Sequence, residues 1–404
     1  MNWDDTEEEA EFRAEVRAFI STHFPEEYRP DHEAEHSLEP EDVWGYNWAA
    51  DRVSPDPERR EGARKWAAAL AERGWIAPHW PEEYGGAGLS AKQEFILQEE
   101  MMKARVPTVN GIGAFLIGPT ILELGTDEQK AEHLPRIARG ETTWAQGFSE
   151  PESGSDLASL RTRAVRDGDD YVVNGQKVWT SLGVQADWLF VLVRTDQEAP
   201  KHKGITFLLV DTKTPGVTVR PITDIRGDTP FAEVFFDDAR VPVANRVGEE
   251  NRGWYVAMTA LGFERSGIGA TVKFEQALST LVDHLKSPEG RAHARPDTEG
   301  LRLEIARRYA EIRVLYNLAR HSASSGDYAG SVSQLYGAEL HQRLARTGAK
   351  AFGHLAELWQ REGAPLGAAF THLRFDSVAA TFLGGTTEIQ RNVIATRGLG
   401  LPKS

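Results

Sequence analysis

Apolar residues recur three and four positions apart over residues 6–22. Phe12, Val16, Phe19 and Ile20 share one face there, and Thr6 stands three residues ahead of Glu9. That spacing predicts an amphipathic helix opened by a capping box. The same period returns through Trp66 and Leu70 to Gly74, from Ser90 through Met101, around Phe115 to Leu124, and from Asp127 to Gly140. Between Pro25 and Gly62 the rhythm breaks. Proline, charge and turn formers surround Trp44, Tyr46 and Trp48 there, which predicts a surface excursion. Residues 1–141 are expected to form an all-helical domain.

Near Thr142 the period shortens to two. β-Formers alternate in RTRAVRDGDDYVVNGQKVWTS, DWLFVLVRT, KGITFLLVDT, GVTVRPI and AEVFFDD, with Asp167-Gly168 and Asn174-Gly175 as turns between strands. Short strands at this spacing predict a compact sheet or barrel over 142–250 rather than alternating βαβ units. From Gly253 onward helical spacing covers 253–285, 298–325, 331–362 and 366–382, which predicts a four-helix bundle over 251–404. The fold class expected is α+β and mostly helical, in the order helical domain, β domain, helical bundle.

Composition narrows the chemistry. The 404 residues are 40% hydrophobic and 26% charged, the balance of a soluble globular protein with two or three core-forming units. No apolar run reaches the ~18 residues needed to cross a bilayer, and the acidic start MNWDDTEEEAEF lacks the features of a secretory signal. A cytoplasmic protein without membrane attachment is expected. Cysteine is absent, which removes disulfides, thiol nucleophiles and thiolate metal sites, so redox chemistry requires a cofactor. The net charge of -15 argues against nucleic acid as a partner. The 12 histidines show no metal-ligand spacing, and no metal is expected.

Two segments carry the chemistry: WAQGFSEPESGSDLASL, read as lying within the first strand of the β domain, and NGQKVWTSLG. Alone, they would also suit a β-turn with a serine cap and a core tryptophan. Together with HWPEEYGGAG, ILELGTDEQKAEHLPRIARGE, GITFLLVDTKTPGVTVRP and VFFDDARVPVANRVGEENRGW, they resemble the acyl-CoA dehydrogenase family over nearly the whole chain. The resemblance implies FAD as cofactor, an acyl-CoA thioester as substrate and an electron-transferring flavoprotein as electron acceptor. It implies that Gln146, Phe148, Ser149, Trp179 and Ser181 contact the flavin. Serine hydroxyls suit flavin N5 and the pyrimidine oxygens, and an indole offers an apolar plane to the ring. Gly154 and Ser155 let backbone amides approach phosphate or pantetheine, so Ser155 is expected to touch the acyl-CoA.

Near the end of the chain, TFLGGTTEIQRN places two glycines ahead of a polar cluster. Most relatives carry the base that removes the α-proton, a glutamate, at the position of Gly384. Some carry it instead on the first bundle helix, where this chain has ALGFERSG, so Glu264 is expected to be the base, with Phe263 and Arg265 beside the substrate. Two carboxylates facing one carbon would raise each other's pKa, so the exchange is self-consistent. Read alone, Glu264-Arg265 would also suit a salt bridge on a helix face. The Gly384 amide remains a donor for the developing enolate oxygen, and Thr386 and Glu388 resemble residues along the ribityl and diphosphate chain.

The resemblance weakens in SPEGRAHARPD and AFGHLAELWQREGAP, where relatives reach the adenosine half of FAD in a neighbouring subunit; Arg291 is the candidate replacement there. That pattern implies a homo- or heterotetramer with a related subunit. The alternatives to an acyl-CoA dehydrogenase are a non-catalytic or half-site subunit of a heteromeric enzyme, and an acyl-CoA oxidase.

Overall fold

The structure, a computed structural model, describes residues 5–29, 47–225, 227–263, 268–293, 298–322, 328–359 and 363–402. Two compact units divide it. One gathers helices α1, α4 and those from α8 onward; the other gathers α2, α3, α5, α6, α7 and the strands.

In the first unit, α1 (Glu7–His23) opens with the expected box. The Glu9 amide donates to Thr6 Oγ1 at 3.2 Å and the Thr6 amide to Glu9 Oε2 at 3.1 Å. It packs on α4 (Ala91–Lys103), and α4 packs on α8 (Ile268–Lys286). With α9 (Pro288–His293) between them in sequence, α8 and α10 (Thr298–Ser322) pack together with α11 (Ala329–Phe352) and α12 (Ala369–Ala379). Phe274, Leu281, Ile312, Leu315, Leu340 and Phe370 fill their centre, as the three-and-four spacing requires. The third helix, expected to run to 362, stops at Phe352. Gly353 takes the left-handed side at φ +57° and a tighter 3-10 turn follows over Gly353–Glu357.

In the second unit, α2 (Trp48–Asp51) and α3 (Pro57–Glu72) overturn the excursion expected for 25–62 wherever that stretch is described. Trp48 is buried and its indole donates to the Ala63 carbonyl at 3.1 Å, while Asp56 and Pro57 start α3 with an N-cap and a proline in the first turn. Trp44 and Tyr46 lie outside the described residues. Helices α5 (Gly118–Leu124) and α6 (Asp127–Ala138) follow.

Eight strands among the described residues form one mixed sheet: β1 (Trp144–Gly147), β2 (Arg163–Asp167), β3 (Asp170–Ser181), β4 (Trp188–Arg194), β5 (Ile205–Asp211), β6 (Val217–Ile222), β7 (Phe231–Pro242) and β8 (Arg246–Val247). The order is β6-β7-β3-β2-β4-β5-β8, with β1 parallel to β4. Strands β4 and β5 are buried almost throughout, matching their unbroken apolar runs.

Three expectations change here. The first strand covers only Trp144–Gly147 of the 144–160 segment. Asp167-Gly168 does turn β2 into β3, but Asn174-Gly175 lies inside β3, at a bulge against β7. Gly175 sits at φ +148°, where a Cβ would come within 2.7 Å of Thr162 Cα, and the Asn174 and Asp238 side chains and backbone bond each other across the strands. Close approach, not reversal, explains that glycine. Finally, the helix expected over 253–285 is divided between the units: α7 (Gly253–Phe263) packs on β5 and α5, whereas α8 packs on α10 and α4. Among the described residues, no helix is long and apolar enough to cross a membrane.

Candidate functional site

The sheet-bearing unit holds Gln146, Phe148, Ser149, Ser155, Trp179, Ser181 and Phe263. Strand β1 pairs with the centre of the sheet, placing Gln146 opposite Phe190. Phe148 is buried edge-on against Phe190 and Phe207, with centroids 5.6 and 6.0 Å away. That packing fixes the next residue, Ser149, whose carbonyl accepts from the Val178 amide at 2.9 Å. The end of β1 is thereby tied to the part of β3 that carries Trp179 and Ser181.

Trp179 is not a core residue. Its side chain is 59% exposed, its backbone stands at φ +60°, and the β3–β7 register shifts between Lys177 and Thr180. A bulky residue in the left-handed region costs on the order of 1–2 kcal/mol. Among the described residues, its ring contact is an edge contact with Phe231 at 5.9 Å. Bulges re-aim side chains, and strain of this kind gathers at binding sites. Ser181, at the end of β3, is exposed and Ser149 half-buried. Between Trp179 and Ser181, Thr180 is fully buried and its Oγ1 has no hydrogen-bond partner among the described residues.

Loop 150–162 begins with a tight turn in which Glu150 and Ser153 exchange both backbone hydrogen bonds, at 3.0 and 3.1 Å. Ser155 is exposed. A Cβ added at Gly154 would meet nothing within 4 Å and its φ is not left-handed, so neither packing nor backbone demands a glycine there. An approaching ligand would.

Beneath the loop lies a buried ion pair. Lys177 is 0% exposed, and its Nζ donates to Glu150 Oε1 at 2.7 Å and to the Phe148 carbonyl at 3.1 Å. Burial pulls its pKa down to about 8, against the attraction of Glu150. Burial alone would raise the Glu150 pKa. The charge and hydrogen bond of Lys177, with the amides of Arg161 (2.7 Å) and Thr162 (2.9 Å), outweigh it and hold the carboxyl below its ordinary value. Sequence reading missed this pair, although a signal existed. Tyr171, Val173 and Lys177 fall on the same inward parity of β3, and a lysine on a buried face demands a carboxylate.

On the helical unit, Gly384 and Gly385 stand at φ +63° and +94°. They turn the chain from α12 into α13 (Thr387–Val393), whose N-cap is Thr386, its hydroxyl accepting from the Ile389 amide at 3.2 Å. Gln390, not singled out beforehand, is buried. Its Nε2 donates to the Gly384 carbonyl at 3.0 Å, and a Cβ on Gly385 would come within 2.9 Å of that nitrogen. The glycine doublet is thus required by the turn itself. Glu388 is exposed, and its own amide, followed by Thr387, holds its carboxyl below the ordinary value. Arg291 is exposed on α9. Phe263, the last described residue of α7, is exposed. Glu264 and Arg265 lie outside the described residues.

Known proteins sort these features into one family. Residues 46–141, 145–239 and 251–399 match the models of the acyl-CoA dehydrogenase N-terminal, middle and C-terminal domains. The chain belongs to the acyl-CoA dehydrogenase family, a family of oxidoreductases. It is 40% identical over 361 residues to acyl-CoA dehydrogenase IpdE1 of Mycobacterium tuberculosis (strain ATCC 25618 / H37Rv), covering 86% of this chain and 90% of that protein. Among solved structures it resembles the Tcur3481-Tcur3483 steroid ACAD, with a TM-score of 0.83, 31% identity and complete coverage (100%) of both chains. It also resembles the ChsE4-ChsE5 complex from Mycobacterium tuberculosis, with a TM-score of 0.81, 34% identity and 100% of both chains.

The family generally binds FAD. The residues fit that group: the strained, solvent-presented indole of Trp179 and the neighbouring hydroxyls are what an apolar ring with polar edges requires.

Proposed function

We propose that this chain dehydrogenates an acyl-CoA thioester between its α and β carbons, giving the trans-2-enoyl-CoA, with FAD held by Gln146, Phe148, Ser149, Trp179 and Ser181 and by Thr386 and Glu388. The observation that carries the reading is Trp179, held largely exposed at φ +60° in the strand segment that ends at Ser181 and is tied to Ser149, a backbone that costs stability. Bound FAD supplies the acceptor for the hydride lost from the β carbon. The residues supply the rest. Glu264 takes the α-proton, the Gly384 amide stabilises the enolate oxygen, and Ser155, Phe263 and Arg265 hold the thioester. The backbone at Gly384 supports assigning the base elsewhere, because a glutamate at φ +63° would be strained.

Steroid-derived acyl-CoA is the substrate class favoured, on the likeness to a steroid ACAD. Electrons pass to an electron-transferring flavoprotein, and the protein works in the cytoplasm. A second reading, a subunit completed by a related chain with Arg291 at the adenosine end, is favoured by the likeness to the ChsE4-ChsE5 complex and by the departures in 287–297 and 351–365.

Purification alone and with a co-encoded relative tests both readings through the visible spectrum. Flavin absorbance and turnover of the lone chain support the homomeric enzyme. Flavin only in the mixed preparation supports the half-site reading, and a colourless, inactive protein in both contradicts the proposal. Hydrogen peroxide formed with acyl-CoA would move the acceptor to oxygen.

A further inference from the structure

Arg194, the last residue of β4, is buried, with 9% exposure, yet its guanidinium meets no carboxylate among the described residues within ion-pairing distance. It donates instead to three backbone carbonyls: Ala158 at 2.6 Å, Lys201 at 2.9 Å and Leu160 at 3.4 Å. Its own amide donates to the Thr162 carbonyl at 2.6 Å. The carbonyls and the more distant charges of Glu150 and Asp196 only partly offset burial, which holds the Arg194 pKa below its ordinary value.

What this cation secures is specific. The carbonyls of Ala158 and Leu160 lie in the second half of loop 150–162. Holding the Lys201 carbonyl also fixes the residue whose ammonium reaches Asp156 Oδ2 at 2.7 Å. Asp156 follows Ser155 directly. Lys177 and Glu150 pin the two ends of the loop, through the Phe148 carbonyl and the amides of Arg161 and Thr162, and Arg194 and Lys201 hold the stretch between them that follows Ser155. Gly154 and Ser155 stay exposed between two fixed ends, with open space over Gly154.

We propose that Arg194 is a positioning residue for the acyl-CoA, setting the Gly154–Ser155 turn by capturing the carbonyls of Ala158, Leu160 and Lys201. It touches neither flavin nor substrate. The inference rests on reading Ser155 as an acyl-CoA contact. It deepens that reading by assigning the stretch just after Ser155 to Arg194 and the two ends of the loop to Lys177 and Glu150.

Arg194→Gln and Arg194→Lys are compared with the parent in two measurements. Hydrogen exchange of the FAD-free proteins reads the loop; amides of residues 155–160 exchange at least about tenfold faster in Arg194→Gln, while those of Arg161 and Thr162, held by Glu150, and strands β3 to β5 are unchanged. Steady-state kinetics of the FAD-loaded proteins reads the function. KM for acyl-CoA rises about tenfold in Arg194→Gln, with kcat and the flavin spectrum within about twofold, because uniform thioester binding is lost rather than chemistry. Arg194→Lys, still able to reach one carbonyl, recovers part of the loss. An unchanged KM, or a parallel fall in kcat, flavin content and melting temperature, overturns the proposal. Should Arg194→Gln fail to fold, the exposed change Lys201→Ala carries the test, with KM up about threefold in support and unchanged in contradiction. A parent protein that binds flavin but gives an unchanged variant KM defeats this inference alone; a parent that binds none defeats the functional reading as well.

Discussion

Trp179 shows how a single residue can report function without a ligand. At φ +60° and largely exposed, it is destabilised in backbone. Trp179→Gly should therefore raise stability, or leave it within about 1 kcal/mol, while flavin content falls; calorimetry with the visible spectrum checks both. The sequence shows a tryptophan inside the second flavin-type motif, but the strain comes from a bulge that strand alternation does not announce. Lys177 behaves oppositely. Lys177→Met leaves Glu150 buried and unpaired and should cost about 3–5 kcal/mol, whereas adding Glu150→Gln should recover part of that, measured by urea unfolding. Its inward parity was legible; the identity of its partner was not, because Glu150 lies across a loop whose course depends on three dimensions. The assignment of Glu264 rests on the resemblance alone, because the residue lies outside the described residues.

Elements were legible where one period persists. The capping boxes before α1 and α4, and the long buried runs of β4 and β5, follow directly from the residues. Elements were misjudged where a glycine served packing. Asn174-Gly175 has the composition of a hairpin turn, yet the glycine is there because β3 passes against Thr162. Gly348, inside α11, is a comparable case: a Cβ would come within 1.9 Å of Phe370 Cδ1 on α12. Gly348→Ala should gain helix propensity yet lose about 1–3 kcal/mol through overpacking between α11 and α12, seen as a lower melting temperature with unchanged helical circular dichroism.

At the scale of the molecule, an acidic chain keeps some carboxylates buried by pairing them. Arg13 donates to Asp5 at 2.7 Å, to Glu99 at 2.7 Å and to Glu100 at 2.5 Å, Arg17 donates to Glu100 at 2.6 Å, and Lys92 and Arg320 meet Glu9 at 2.9 and 3.3 Å. Burial would raise the Glu100 pKa, but the hydrogen bonds of Arg17 and Arg13 carry it below the ordinary 4.5; the hydrogen bond from Lys92 does the same for Glu9. Carboxyls depressed in the folded state stabilise it above the unfolded value. That stability is lost as pH falls through the folded value, so the urea midpoint should hold from pH 7 to about 5 and then drop. Arg13→Gln should lower the midpoint at neutral pH and flatten that acid dependence.

The order of helical, β and helical segments was readable from periodicity alone, but the gathering of α1 and α4 with the C-terminal helices was not. It depends on tertiary pairings such as Arg320 with Glu9, Phe95 with Tyr316 and Gln276 with the Met102 carbonyl. The central claim concerns the whole enzyme: a carboxylate at position 264 draws the α-proton while the glycine doublet does not. Anaerobic addition of acyl-CoA to the FAD-loaded protein tests it most directly. The account predicts that the visible flavin absorbance bleaches in the parent and stays unbleached in Glu264→Gln with thioester binding retained. Normal bleaching in that variant would contradict it.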